Sequence, residues 1–301
     1  MKPGSRLASR LESRDFVVTA EYLPRAGTGA ASIEACVGAL RDRVAAVNVA
    51  DNPYGVAMSS LAASVGLSRF GIEPVYQVLT RDRNRIALQS DLMGAAFLGI
   101  RNTLCLSGYH QSLTGHPESA NVFDIDSIQL IAAVNKMNEE GSLMDGTKID
   151  GEFSMLLGAV VNPFMKPLEL NMLRLNKKAD AGARFVQTQA VFDVEWFAQW
   201  LDAANREGLT ERVAVLASVL PLRGAAEAKK LAATHTDFVI PNGILERIQS
   251  AGDQVAQKKE GLAICAEVVR KLKAMKGVRG LHILSGGNET IVPELIAAAD
   301  L

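Results

Sequence analysis

The stretch EPVYQVLTRDRNRIALQSDLMGAAFLGIRNTLCLSGY, residues 73–109, decides the fold. It opens with a short run rich in Val and Leu and continues with a helical pattern, in which apolar residues recur every three or four positions. It closes with a second apolar run, NTLCLSGY, which begins at Asn102. A strand, a helix and a strand in this order are typical of a parallel sheet that is covered by helices.

Eight such units follow one another along the chain. Helical patterns such as PLELNMLRLNKKADAG lie between the apolar runs, and several end at a glycine, as a left-handed helix C-cap favours: Gly99, Gly182 and Gly208. The long segment 235–277 predicts an additional helical turn beside the barrel mouth. The predicted strands are FVVTAEYLP from Phe16, AAVNVADN from Ala45, EPVYQVLTRD from Glu73, NTLCLSGY from Asn102, LLGAVVNP from Leu156, RFVQTQAVFD from Arg184, VAVLASVLP from Val213 and GLHILSGG from Gly280.

Eight units fit either a closed barrel or an open doubly wound sheet, and periodicity does not separate the two. A dinucleotide-binding sheet is expected to carry GxGxxG after its first strand. Here PRAGTGAAS, residues 24–32, has a different spacing, and no acidic residue follows at the expected place. We therefore predict an α/β fold, a (β/α)8 TIM barrel, in which residues 1–301 form a single catalytic domain.

Composition limits the possible partners. The 32 basic and 33 acidic residues give a net charge of -1 without a block of like charge, which disfavours nucleic acid and membrane as partners. The first 16 residues lack the apolar region of a signal peptide, so we expect a cytoplasmic protein. A homo-oligomer is compatible with this fold. The cysteines Cys36, Cys105 and Cys265 show no metal-binding spacing, and we predict that they are buried. The histidines show none either, so we predict no metal site at His110, His116, His235 or His282.

In a (β/α)8 barrel the reactive groups lie at the carboxyl ends of the strands. Any one polar residue there is more often a solvated or capping group. Glu21 lies within the apolar strand VVTAEYLP, which would desolvate a carboxylate and raise its pKa toward the range of a general acid. A salt-bridged structural glutamate is the competing interpretation. The polar strand ends are Glu21, Asp51, Asn52, residues 80–85, residues 108–111, Asn162, residues 187–189, Asp193 and residues 285–289.

The sequence resembles methylenetetrahydrofolate reductases over nearly its whole length, from TAEYLP at residue 19 to GVRGLHILSGGNET at residue 277. The densest matches are VLTRDRNRIALQSDLMGAAFLGIRN, LGAVVNP, KKADAGARFVQTQAVFD and KKEGLAICAEVVRKLK. The resemblance implies a barrel that holds FAD at its mouth. The flavin would pass a hydride between its N5 atom and the one-carbon unit of a tetrahydrofolate derivative, with NADH or NADPH as a candidate electron donor or acceptor.

The resemblance also implies roles for individual residues. Glu21 matches the family's general acid toward the folate nitrogen, and Gln189 matches the glutamine that holds the pterin. The implied FAD contacts are Gln77, Thr80, Arg81, Asp82, Ser107, Gly108, Asp126, Asn162, Arg174 and Lys178.

One position departs from the family pattern. The fourth strand of the family usually ends Gly-Asp, whereas here it ends Gly108-Tyr109. Tyr109 therefore stands at a catalytic position that contacts both pterin and flavin, and it changes the charge and the hydrogen-bond sense there. A neutral phenol would not oppose the negative charge of a reduced flavin. We expect a raised flavin potential and a bias toward oxidation of 5-methyltetrahydrofolate.

Two alternative functions stay open. The first is a flavin-free, pterin-binding barrel that transfers a methyl or one-carbon group, and a yellow colour of the purified protein would argue against it. The second is an electron-relay subunit that needs a partner protein. Tyr109 and the lack of an obvious nicotinamide motif suggest this second function. NADH oxidation by the purified chain with a quinone acceptor would argue against it.

Overall fold

The protein folds as a closed barrel of eight parallel strands with helices outside, in a computed structural model that describes residues 4–234 and 239–301. Neighbouring strands pair in chain order, and β8 closes the barrel by pairing with β1. This confirms the predicted (β/α)8 barrel over the open sheet. The strands are β1 (Val17–Tyr22), β2 (Ala46–Val49), β3 (Pro74–Leu79), β4 (Asn102–Leu106), β5 (Leu156–Val161), β6 (Phe185–Ala190), β7 (Ala214–Val219) and β8 (Val278–Ile283).

Helices alternate with the strands. The predicted helix-ending glycines have positive φ angles, +85° at Gly99, +116° at Gly182 and +69° at Gly208, which confirms the left-handed ends. The predicted additional helix after β7 is present, although His235 lies outside the described residues. The helices are α1 (Arg6–Glu12), α2 (Ala30–Leu40), α3 (Ser60–Arg69), α4 (Arg85–Phe97), α5 (Ser127–Glu140), α6 (Leu168–Asp180), α7 (Val194–Arg206), α8 (Leu209–Arg212), α9 (Ala225–Thr234), α10 (Asn242–Ser250), α11 (Gln254–Lys273) and α12 (Ile291–Ala298).

The amino-terminal end of the barrel is closed by an apolar cluster. Helix α1, which the sequence patterns did not predict, contributes the buried Leu7 to this cluster. Val17, Val75 and Phe185 pack with it from three strands. Burial of these side chains gives the lower half of the barrel a solid core, as is usual for this fold.

A layer of polar side chains lies above this core. The Asn48 side-chain nitrogen donates to Gln187 Oε1 over 2.7 Å, and this bond crosses the barrel interior because β2 and β6 are not neighbours. Thr19 Oγ1 lies 3.0 Å from His282 Nδ1, and burial lowers the pKa of His282 to about 3, so its ring is neutral. Since side chains alternate along a strand, the residue two positions further along β1 faces the same interior, nearer the mouth.

The three cysteines are buried and unpaired, as the sequence predicts, and burial raises the pKa of each thiol. Across residues 4–234 and 239–301, no group of His, Cys, Asp and Glu side chains is arranged to hold a metal ion. The helices within these ranges include none that is long and apolar enough to cross a bilayer.

Candidate active site at the barrel mouth

Glu21 lies near the end of β1, where its inward side chain reaches the mouth of the barrel. Burial raises the pKa of Glu21 to about 7. The backbone groups of Gly286 and Ser285, just after β8, oppose this rise because they favour the carboxylate, and the charge of Glu289 adds to it. In the described part of the chain Glu21 joins no ion pair, which disfavours the salt-bridged alternative. The carboxyl group is therefore poised to exchange a proton near neutral pH.

Two glutamines lie toward the carboxyl ends of other strands. Gln189 is two positions beyond the inward Gln187 on β6, where the pairing of β6 with β7 is irregular. Gln77 lies on β3, two positions beyond the inward Val75. Both glutamines are partly exposed. A primary amide can donate and accept at once, which suits the edge of a pterin or flavin ring.

Arg81 and Asp82, just after β3, form a hydrogen-bonded support for the loops around them, here called the brace. Arg81 is 1% exposed, and its guanidinium makes two bonds to the Asp82 carboxylate, at 2.8 and 2.9 Å. It also donates to the carbonyls of Asn52, at 2.8 Å, and Tyr109, at 3.3 Å. The structure therefore places Arg81 beneath the loops, with most of its donors engaged by protein. The hydroxyl of Thr80 is buried and has no hydrogen-bond partner among the described residues.

A second buried ion pair lies beside this brace, and the sequence patterns did not identify it. Arg83 pairs with the buried carboxylate of Asp51, and it reaches Asp91 at 2.9 Å. Burial raises the pKa of Asp51, and the charge of Arg83 opposes the rise. The Asp51 carboxylate also accepts from the backbone of Leu79 over 3.0 Å. This network ties the ends of β2 and β3 to α4, so it supports the mouth from below.

The end of β4 turns sharply over Arg81. Gly108 has a φ angle of +86°, and a Cβ atom there would lie 3.2 Å from the Cβ of Arg81, so only glycine fits without strain. Ser107 accepts a hydrogen bond from the first amide of α5, Ser127, over 3.2 Å. Tyr109 and Phe123 are each 38% exposed. Together they give this side of the mouth an aromatic rim.

Two cations stand beside the β5 end of the mouth. The Lys178 ammonium, on α6, donates to the Val160 carbonyl, and Arg174 lies one turn earlier on the same helix. Burial and the charge of Arg174 lower the pKa of Lys178 to about 8, while Asp126 opposes the shift. Asp126 caps α5 by accepting from the Gln129 amide over 2.7 Å. Asn162 folds its own loop, because its side-chain oxygen accepts from the Phe164 amide over 2.9 Å.

A cavity of about 170 Å³ lies among the loops that follow β2, β3 and β4, where Asn52, Arg81 and Asp82 are among the residues that line it. A larger cavity of about 610 Å³ lies at the opposite pole, beside α1. There Arg14 pairs with Glu211, and Arg212 pairs with Asp180 beside it. Reactive groups of this fold lie at the carboxyl ends of the strands, and the pKa of Glu21 is raised there, so the mouth is the candidate site although the cavity beside α1 is larger.

A family model described as "Methylenetetrahydrofolate reductase" matches residues 6–300, and so covers all eight strands. The chain belongs to this family. The resemblance seen in the sequence is thereby confirmed.

Several methylenetetrahydrofolate reductases are similar in sequence. A probable methylenetetrahydrofolate reductase (NADPH) from Caenorhabditis elegans is 24% identical over 81% of this chain and 34% of its own length. The 5,10-methylenetetrahydrofolate reductase of Escherichia coli is 27% identical over 61% of this chain and 55% of its own. The 5,10-methylenetetrahydrofolate reductase of Salmonella typhimurium is 26% identical over 71% of this chain and 66% of its own length. The chain thus spans from a third to two thirds of the length of these curated relatives.

Solved structures show the same fold at low identity. An uncharacterized protein from Clostridium thermocellum, which binds two copies of 5-methyl-5,6,7,8-tetrahydrofolic acid, superposes with a TM-score of 0.69 at 12% identity, covering 98% of both chains. A 2,3-dimethylmalate lyase superposes with a TM-score of 0.52 at 13% identity, covering 100% of this chain and 86% of the other. Both likenesses show the barrel fold alone.

The structure brings the residues expected from the methylenetetrahydrofolate reductase pattern to one end of the barrel, in three groups. Glu21, Gln77 and Gln189 lie near the carboxyl ends of β1, β3 and β6, Tyr109 stands on the rim, and the α6 cations flank it. Residues 285–289 are among the polar strand ends that the sequence predicts. Their sequence does not predict that their backbone lies close to Glu21. That contact depends on the closure of β8 against β1.

Proposed function

We propose that this protein interconverts 5,10-methylenetetrahydrofolate and 5-methyltetrahydrofolate with bound FAD, and that Glu21 is the general acid. The observation that carries the proposal is the Glu21 carboxyl group, which lies at the mouth and holds its proton near pH 7. Family membership supports a folate substrate. A barrel neighbour that binds 5-methyltetrahydrofolate is consistent with this choice.

Glu21 would act on the folate nitrogen that bridges to the one-carbon unit. A proton on that nitrogen opens the methylene bridge and leaves an iminium, which can accept a hydride. With a pKa of about 7, both the acid and the carboxylate are populated at neutral pH, so Glu21 can deliver the proton and recover it in the reverse direction.

The remaining mouth residues would bind and orient. Gln189 can donate to and accept from the pterin edge, and Gln77 can do the same for the flavin ring. The aromatic rim at Tyr109 and Phe123 would cover apolar ring surface and exclude water. FAD supplies hydride transfer when bound, with NADH or NADPH as the external partner.

The donor set fits FAD on the β5 side of the mouth. Arg174 and Lys178 lie one turn apart on α6, near the amino-terminal end of α5, where they could bind a diphosphate. The contacts implied for Arg81 and Asp82 fit less directly, because these side chains bind each other. We infer that they shape the flavin site by holding the loops in place.

Replacing Lys178 tests the fit. The variant Lys178→Met keeps the stem length and removes the cation, so FAD affinity should fall by about tenfold, the effect of one lost charge-assisted bond. Lys177→Met, at the exposed neighbouring position, is the matched control and should bind FAD as the wild type does. Equal FAD affinity in both variants, measured by fluorescence titration, would remove Lys178 from the flavin site.

The absorption spectrum of the purified protein tests the function as a whole. We expect a flavin spectrum that bleaches when 5-methyltetrahydrofolate is added without oxygen, and FAD in the extract. Extraction of FMN would contradict the FAD assignment. A folded protein without flavin that still binds 5-methyltetrahydrofolate would favour the flavin-free, pterin-binding alternative.

A further inference from the structure

The cavity of about 610 Å³ at the amino-terminal end of the barrel, here called the lower cavity, lies opposite the mouth. Helix α1 covers part of this end, where Leu7 packs into the apolar cluster, and Ala8 and Leu11 of the same helix form one wall of the cavity. The other walls are α5 and the residues at or just before the starts of β5, β6 and β7. Small-molecule sites usually enclose roughly 300–1,000 Å³, so the lower cavity has the size of a ligand site.

Much of the lining of the lower cavity is apolar. Leu156 and Ala214, the first residues of β5 and β7, line it and also belong to the apolar cluster that fills the lower half of the barrel. Met155 and Val213, each 1% exposed, line it beside them. Because transfer of apolar surface out of water is favourable, this lining favours a ligand with an apolar body.

Four arginines also line the lower cavity, and only two of them have an acid partner. Arg14 and Arg212 each bind a carboxylate. Across residues 4–234 and 239–301, Arg184 and Arg279 join no ion pair. Three exposed glutamates complete the charged groups of the lining: Glu12, Glu139 and Glu211. Two guanidinium groups therefore remain available to a ligand.

Arg279 reaches the lower cavity from β8. It is partly buried, and its guanidinium donates over 2.8 Å to the carbonyl of Leu11, in the last turn of α1. Burial and the charge of Arg14 lower the pKa of Arg279, and the charges of Glu211 and Asp15 oppose this shift without cancelling it. The surrounding acids thus leave the guanidinium undercompensated, and an anion bound beside it would supply the missing negative charge.

Two further polar side chains line the lower cavity beside β6. In the part of the chain that the structure describes, neither the Arg184 guanidinium nor the Asn135 amide has a hydrogen-bond partner. A Cβ atom on Gly182 would lie 2.5 Å from the Asn135 side-chain oxygen, so glycine at this position lets the amide lie against the start of β6. A guanidinium binds a carboxylate or a phosphate through two parallel N–H bonds, and an amide can donate a third.

We propose that the lower cavity is a second ligand site, which binds a small organic anion with an apolar body and a carboxylate or phosphate head. The head group would bind Arg184 and Arg279, the two arginines without an acid partner. The apolar body would lie on Leu156 and Ala214. This site lies at the other end of the barrel from Glu21, so the inference does not depend on the proposed function.

Anilinonaphthalene sulfonate is a suitable probe, because it joins an aromatic body to a permanent anion and fluoresces in apolar surroundings. We expect it to bind the purified holoprotein in a fluorescence titration. Arg184→Met and Arg279→Met should each weaken binding by about tenfold, the effect of one lost charge-assisted bond. Arg69→Met, at an exposed arginine of α3, and Arg174→Met, beside the mouth, are matched controls and should bind the probe as the wild type does.

Displacement of the probe identifies the head group. Hexanoate or hexyl phosphate should displace it, the better competitor distinguishing a carboxylate from a phosphate ligand, whereas neutral hexanol should not. Failure of both anions to displace the probe, equal displacement by hexanol, or unchanged binding in Arg184→Met and Arg279→Met would overturn the proposal. An equal loss in the two control variants would do the same. If Arg279→Met does not fold, Arg279→Lys keeps the charge without the planar fork and should still weaken binding.

Discussion

At the same barrel mouth, the pKa values of two carboxyl groups are shifted in opposite directions. On the β1 and β8 side, burial and Glu289 raise the pKa of Glu21 to about 7. On the β3 side, burial acts to raise the pKa of Asp82 as well, but hydrogen bonds and charge from Arg81 outweigh it, and the pKa is lowered. The sign therefore follows from the balance between burial and an ionic partner: Arg81 outweighs burial at the partly exposed Asp82, whereas burial outweighs Arg83 at the more deeply buried Asp51, whose pKa stays raised.

The largest expected effect comes from neutralising the unpaired carboxyl group. Glu21→Gln should leave folding and flavin binding intact and slow folate turnover by roughly 10²- to 10⁴-fold, the usual cost of a lost general acid. Flavin reduction by NADH or NADPH should survive, because that half-reaction needs no proton on the folate. Stopped-flow measurement of the two half-reactions checks this. An equal loss in both would make Glu21 structural.

The same substitution should stabilise the fold at high pH. Because the pKa of Glu21 is raised in the folded state, the folded protein binds the extra proton between about pH 4.5 and 7, and stability falls as the pH rises through this window. Glu21→Gln removes this loss and should gain at most about 3 kcal/mol at pH 8, but nothing at pH 4. Urea unfolding at both pH values measures it, with Glu34→Gln on the surface of α2 as the control.

Removing Arg81, on the β3 side, should destabilise the fold, whereas Glu21→Gln should stabilise it. Arg81→Ala leaves Asp82 partly buried without its partner and should cost about 2 kcal/mol at pH 7, below the range for fully buried pairs because Asp82 keeps some exposure. The lowered pKa of Asp82 stabilises the fold above its unfolded value, and this contribution disappears as the pH falls through the folded value. The variant should therefore lose less stability in acid than the wild type does.

The exposed pair of Arg85 and Asp124 offers a matched control, since it is also an arginine that binds an aspartate through two nitrogens. Arg85→Ala should have a much smaller effect on the urea midpoint. Arg81→Lys should fall between wild type and Arg81→Ala, because lysine keeps the charge and loses the planar fork. If both alanine variants unfold at the same urea concentration, burial does not distinguish the two pairs.

Much of the fold could be predicted from the sequence because parallel strands and their covering helices have different apolar periods. The sequence placed β5 at Leu156 and β4 at Asn102, where the structure has them. It began β8 at Gly280, whereas the strand starts at Val278. The apolar pattern did not predict α1, because this helix has only seven residues. Their burial depends on packing against the amino-terminal end of the barrel, which a local pattern does not show.

The site was less predictable, for a physical reason. Which residues stand at strand ends follows from order along the chain, so Glu21 and residues 187–189 could be placed there, and the family resemblance then pointed to Gln189. Which groups meet across the mouth depends on barrel closure, and no local pattern carries that information. Arg81 shows the difference, since its sequence position suggests a ligand contact and its fold position makes it a brace.

The smallest expected effect is a change in the flavin potential on substitution of Tyr109, on the rim of the mouth. A reduced flavin carries negative charge, and an aspartate at this position would oppose it. At about 5 Å and an effective dielectric of about 20, one charge is worth roughly 3 kcal/mol, which caps the change in potential near 70 mV for two electrons. Tyr109 is 38% exposed, and its carbonyl accepts from Arg81, whose charge would partly offset an aspartate. Tyr109→Asp should therefore lower the flavin potential by only about 20 mV.

Tyr109→Phe separates charge from hydrogen bonding, because it removes the hydroxyl without adding charge. Its potential should match that of the wild type in a spectroelectrochemical titration, while the Asp variant falls below both. The neutral side chain would then favour electron uptake from 5-methyltetrahydrofolate. A potential that stays constant or rises in Tyr109→Asp would show that charge at this position does not control the flavin. In that case any role of Tyr109 in the direction of the reaction would have to come from contacts with the pterin.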